Sequence, residues 1–129
     1  MRHENLRIGV ITWIVVALLV LPSCGFKRQL VSITLIPNDV NITGSGVDVQ
    51  FKAVGNYIHP PDSRDITNSV TWQSAAPQVV SITASGLATS GNVCGQNITI
   101  TATGHSDPHD SSSGAVVGTA TVTVTLLGC

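Results

Sequence analysis

Charge is scarce in this sequence. Only 10% of its 129 residues are Asp, Glu, Lys or Arg, and the formal net charge is -1. A chain so near neutrality lacks the basic footprint that nucleic-acid binding demands, so nucleic acid is not an expected partner. With seven acidic residues there is little material for general acid–base chemistry. No defensible Ser-His-Asp spacing, Gly-rich phosphate loop after a strand or C-x-x-C pair occurs. An enzyme is therefore not expected, and neither is a cofactor. Aromatic residues make up only 4%. The longest apolar run, Ile8 to Leu21, has about 14 residues, short of the roughly 20 that span a bilayer as a helix. From residue 24 onward no window carries a helical period, and the chain is rich in Val, Ile, Thr, Ser and Gly, which suit strands and tight turns.

The apolar run has a distinctive setting. Arg2 and Arg7 precede it, and Leu21-Pro22-Ser23-Cys24 follows it. A basic start, a short apolar segment and then small residues form the pattern of a secretory signal peptide. The stop resembles the lipobox of bacterial lipoproteins, with Leu21 three before the cysteine and Ser23 directly before it. Pro22 departs from that pattern, since its slot usually holds a small or branched residue. The resemblance implies a signal peptide over residues 1–23, an apolar signal helix within it, and Cys24 as a lipidated N-terminus. Several acyl chains on one cysteine would give stable anchoring, where a single chain gives only marginal binding. The membrane is thus an expected partner, and an exported, lipid-anchored location is expected.

Three cysteines in an exported chain leave one over. Lipidation of Cys24 accounts for it and leaves Cys94 and Cys129 as an expected disulfide in an oxidising compartment; two free or intermolecular thiols are the alternative. The remaining chain, about 100 residues, has the size of one domain, and at that size a covalent staple helps.

Alternation with period two recurs from residue 30. Val31, Ile33 and Leu35 share a face, and Pro37 ends the strand. A short extended piece covers Val40 to Thr43. Val47, Val49, Phe51, Ala53 and Tyr57 share the inward parity of a second strand, and HPPDSRD after it reads as a loop. Val70 and Trp72 then point inward, which makes Trp72 a core residue rather than a glycan platform. QVVSIT, the short return Leu87-Ala88-Thr89, NITITAT (Ile98, Ile100 and Ala102 inward) and GTATVTVTL (Ala120, Val122, Val124 and Leu126 inward) complete seven or eight strands. The threonines opposite them read as solvated faces stabilised by cross-strand pairs. The expected fold class is all-β, an antiparallel sandwich over residues 30–129, joined to the signal segment by a tether over residues 24–29 that begins with Cys24.

The order VSITLIP, VDVQFKAVGNY, DITNSVTWQSAAPQVVSITASGLAT, ITITAT, GTATVTV resembles the bacterial immunoglobulin-like domain, group 2 (BIG2). The V-x-W strand, the P-x-V-V-S-I strand and the G-L-A-T return occur in sequence, and the likeness covers Leu30 to Leu127. It implies an immunoglobulin-like fold and a cell-envelope location in surface proteins that include adhesins, and brings no catalytic residues. A non-catalytic structural, interaction or adhesion module is the expected function, with an envelope protein or glycan as partner; the alternative is a specific ligand-binding module for glycan, protein or metal at the His/Asp loops.

One polar constellation stands out. His105, Asp107, His109 and Asp110 lie before the last strand; His59, Asp62 and Asp65 lie after the second. In an immunoglobulin-like topology both loops fall at the end where the first strand begins. Imidazoles and carboxylates there could hold a zinc-type ion, but Asp-Pro and His-Asp are also ordinary turn chemistry, and no metal site is assigned. The Gly25 to Gln29 tether reaches at most roughly 18 Å. This end should therefore face the membrane, with Lys27 and Arg28 at the lipid surface, and Cys94 and Cys129 at the opposite end. Strict ladder parity between the last two long strands does not bring those cysteines together unless Gly95 and Gly128 bend the chain out of register.

Overall fold

A computed structural model describes residues 25–129. The expected signal peptide, its helix and Cys24 lie outside the described residues. From residue 25 onward the chain is all-β, with ten strands and no helix. They are β1 (Gln29–Ile36), β2 (Asp39–Thr43), β3 (Asp48–Gln50), β4 (Lys52–Ile58), β5 (Asp62–Asp65), β6 (Thr71–Ser74), β7 (Val80–Ile82), β8 (Leu87–Ser90), β9 (Gly95–His105) and β10 (Ala115–Thr125).

The strands form three sheets, ordered β2-β10-β9-β6, β1-β4-β5 and β3-β8-β7. Their apolar faces meet in one core, an arrangement consistent with a β-sandwich. Phe51, Ile100, Val80, Val122 and Val124 are its largest fully buried side chains. Trp72, inward as its parity predicts, is 9% exposed, and its Nε1 donates to Thr67 O at 2.8 Å. That partner is what permits an indole N–H to be buried. Gly118 admits β1 against the long β10: a Cβ there would lie 2.6 Å from the Ile33 carbonyl oxygen.

Four expectations need correction. The single strand from Val47 to Tyr57 is two strands. At Phe51 the chain passes from pairing with β8 to pairing with β1, while Phe51 N–H turns to Gly86 O at 2.8 Å. Uninterrupted alternation hides a change of partner, because each side of Phe51 keeps one buried face. As part of that same correction, Val47, placed inward by parity at the start of the stretch, is 39% exposed at the margin. The stretch read as a loop, HPPDSRD, contains β5, an edge strand paired with β4; charged residues protect such an edge and also erase its apolar signature. The pairing is not wholly antiparallel either, since β2 runs parallel to β10.

The fourth correction concerns Val31. Leu30 pairs with Tyr57 and Ser32 with Asn56, so Val31 is an extra residue on β1. This bulge turns Leu30 and Ile33 inward and leaves Val31 47% exposed. An inserted residue reverses the facing of everything beyond it. Elsewhere the alternation holds. Ile100, Ala102, Ala120, Val122 and Val124 are buried, Ile98 and Leu126 are partly so, and Thr99 pairs with Thr121 and Thr101 with Thr119.

Candidate functional site

The chain immediately before β1 is fixed against the end of the fold that carries the His/Asp segments. Leu30 N–H donates to Ser106 O at 2.8 Å, Lys27 Nζ lies 3.8 Å from Asp107 Oδ2, and the Phe26 ring stacks on His59 at 5.1 Å between centroids. The sequence expectation that the first strand begins at this end, and that both polar segments meet there, agrees with these contacts. Between them opens a cleft of about 670 Å³, lined by Lys27, Arg28, Tyr57, Arg64, Asp65 and Asp107 among others.

The seven sequence-selected residues divide within this end. Asp65, Asp107 and His109 line the cleft. Among the described residues, no three His, Cys, Asp or Glu side chains are grouped so as to hold a metal ion. The carboxylates instead organise local backbone. Asp107 Oδ1 accepts from His109 N–H at 2.9 Å. Asp110 Oδ1 accepts from the Ser112 N–H at 2.9 Å and hydroxyl at 2.6 Å. These are Asx-type turns, the common task of Asp where a chain reverses in water.

Hydrogen bonding sets the protonation of this end. The Arg64 Nε–H donates to Asp62 Oδ2 at 2.6 Å, and that bond holds the Asp62 carboxyl below its ordinary range. The Thr67 hydroxyl and N–H do the same for Asp65, at 2.5 and 3.0 Å to Oδ1. The Ser112 hydroxyl leads the same effect on Asp110. Bonds made to the charged form favour it. Asp65 also has a structural reach: the Thr67 hydroxyl it orients accepts from the buried Ala53 N–H at 3.0 Å.

Arg28 was visible in the sequence only as a lipid-surface charge. Its guanidinium carbon stands 6.0 Å from the centre of the Tyr57 ring, at the limit of cation–π attraction. Its Nε is buried and donates to no acceptor among the described residues. Lys27 and Arg64 both have carboxylate partners within 4 Å, and Arg28 has none among the described residues. Only the folding of β4 and β5 beside the tether brings these groups together, so spacing gave no signal for it. The end as a whole is not basic. Lys27, Arg28 and Arg64 stand among Asp62, Asp65, Asp107 and Asp110, a formal balance of three against four.

At the far end of β9, roughly 33 Å away at the usual rise of a strand, Cys94 and Cys129 are bonded, with 6.6 Å between their Cα atoms. The parity obstacle is removed by a second bulge. Val122 pairs with Ile98 but Val124 with Gly95, so Gln96 and Asn97 face the single residue Thr123. Asn97 takes φ 53°, and its N–H donates to Thr123 Oγ1 at 3.2 Å. Asparagine is among the few residues that enter the left-handed region at modest cost. Gly128, at φ 106°, turns the last residues back, and Cys129 N–H reaches Leu126 O at 3.2 Å. Glycines were the anticipated source of the bend; Asn97 and Gly128 supply it.

No family model matches this chain, and no curated protein matches it.

Proposed function

We propose that the chain is a non-catalytic lipoprotein of a bacterial envelope, anchored through Cys24, whose domain is an immunoglobulin-like sandwich of the BIG2 kind acting as a structural or interaction module. The observation that carries this reading is the attachment of the tether. Phe26 sits on His59 and Leu30 is bonded to Ser106. An anchor two residues before Phe26 would therefore bring the cleft end against the bilayer. The apolar run and the Leu-Pro-Ser-Cys stop supply the anchor itself. Charge does not supply it, because the end is close to balanced; acyl chains do. Phe26, 78% exposed, is placed to enter the interface as aromatic residues do.

The domain then projects its Cys94–Cys129 end from the membrane, where an envelope protein or glycan would meet it. The threonine faces of β9 and β10 fit an uncharged, solvated module wall. The test is palmitate labelling of cells making the wild type or Cys24→Ser, with membrane fractionation. Labelled wild type in the membrane and unlabelled Cys24→Ser outside it are the expected results; an unlabelled wild type would overturn the anchor.

A further inference from the structure

We propose that the cleft between the tether and β5 binds a zwitterionic phospholipid headgroup, its phosphodiester on Arg28 and its ammonium beside Asp65. The lipid source of that headgroup rests on the anchoring reading above; the chemistry of the cleft does not.

Three observations converge on this occupant. The first is the orphan donor. Arg28 Nε is buried without an acceptor among the described residues, and buried polar groups in folded proteins are nearly always paired. A ligand reaches this buried atom only if the guanidinium turns outward into the cleft, and that ligand must be an acceptor, because a guanidinium has donors only. Phosphate oxygens suit it best, since Arg matches their geometry through two parallel bonds.

The second is the charge balance. Lys27 is engaged by Asp107 and Arg64 by Asp62, which leaves Arg28 as the cleft-lining cation without a carboxylate partner among the described residues. One such charge fits a phosphodiester, which carries one negative charge, better than it fits a dianionic phosphate. The same cleft presents Asp65, which has no Lys or Arg within 4 Å among the described residues, and a purely anionic ligand would meet it as a like charge. A headgroup carrying an ammonium a few ångströms from its phosphodiester turns that repulsion into attraction.

The third is size and place. A cleft of about 670 Å³ lies within the range of small-ligand sites. It opens beside residues 27 and 28, three and four positions from the expected acyl anchor, so a neighbouring lipid would need little reach. Tyr57 forms an apolar wall under the Arg28 guanidinium.

The test uses the full chain in detergent micelles and follows the Arg28 side-chain Nε–H resonance by NMR. Glycerophosphoethanolamine, the soluble headgroup, should move that resonance in a saturable way. Arg28→Lys keeps the charge but lacks Nε; it should weaken binding about tenfold, the loss of one charge-assisted hydrogen bond. Glycerophosphoglycerol, which has no ammonium, should bind several-fold more weakly. Vesicles containing phosphatidylethanolamine should broaden the same resonance, and phosphate alone should not reproduce it. Absence of any saturable shift, or an equal shift with sodium chloride, would overturn the site. Tighter binding of inorganic phosphate than of the diester would overturn the headgroup in favour of free phosphate. Equal affinity for the two diesters would overturn the ammonium contact. Palmitate labelling separates this from the anchor. An unlabelled wild type whose Arg28 still responds overturns the anchor alone, and a labelled one whose Arg28 stays silent overturns the cleft alone.

Discussion

The two ends of the domain solve the same problem by different means. Each ends a long antiparallel pair, and each carries a bulge, Val31 on β1 and the Gln96–Asn97 pair on β9. At the disulfide end the chain is uncharged from Gly91 to Asn97 and from Leu126 to Cys129, and a covalent bond closes it. At the cleft end no covalent cross-link joins the described residues. Seven of the ten charged side chains from residue 25 onward gather there, Lys27, Arg28, Asp62, Arg64, Asp65, Asp107 and Asp110, and turns are tied by carboxylate hydrogen bonds. A disulfide is indifferent to salt and mild acid and yields to a reductant. Ion pairs and Asx turns respond to pH, salt and ligands. The difference assigns stability to one end and responsiveness to the other.

Removing the staple should produce the largest effect on this contrast. The bond closes a loop of 35 residues in sequence separation, for which chain entropy gives roughly 3–4 kcal/mol. Cys94→Ala/Cys129→Ala should lose about that much in urea unfolding, and hydrogen exchange should accelerate first in residues 91–97 and 126–129, not at the cleft.

The bulge beside it is the next target. Asn97→Val forces a β-branched residue to φ 53° and should cost about 1–2 kcal/mol, whereas Asn97→Gly should stay within about 0.5 kcal/mol of wild type. Equal losses from both would mean that the left-handed residue is not what sets the register.

Acid separates the ends without mutation. Asp62, Asp65 and Asp110 are all held below the ordinary carboxyl range by hydrogen bonds made to the charged form. A carboxyl depressed on folding contributes stability that is present above its unfolded value and lost as pH falls through the folded one. Stability should thus hold from neutrality to about pH 4, the ordinary Asp range, and decline below it. Asp65→Asn should flatten that decline, read by thermal melts across the range. The disulfide end has no Asp or Glu side chain in residues 91–97 and 126–129 and should keep its exchange protection longest.

Arg28→Gln removes a half-buried side chain whose Nε has no partner among the described residues and should have the smallest effect on folding, within about 0.5 kcal/mol. Thermal melts check this, and a larger loss would make Arg28 a structural residue.

The same two bulges mark where the sequence could be read and where it could not. Period-two alternation identified the inward residues of β6, β9 and β10 because each strand keeps one register and one buried face. It misplaced Val31, because a single inserted residue leaves no trace in hydropathy. It merged β3 with β4, because a change of pairing partner at Phe51 does not disturb alternation. It missed β5, because an edge strand of Asp, Ser, Arg and Asp has no apolar face to show. The cysteine count pointed to Cys94 and Cys129, yet the device that joins them, a left-handed Asn97, depends on which strand lies opposite. The cleft was half legible: Asp65, Asp107 and His109 were singled out for their chemistry, while the isolation of Arg28 follows from distances between elements far apart in sequence.

The most direct measurement of the whole account is hydrogen exchange on the full chain anchored in phospholipid vesicles, compared with the same chain in detergent micelles. Protection by vesicles of residues 26–28, 59–65 and 105–113, with residues 91–97 and 126–129 unchanged, is the predicted result. Protection at the Cys94–Cys129 end, or no difference between vesicles and micelles at the cleft, would contradict it.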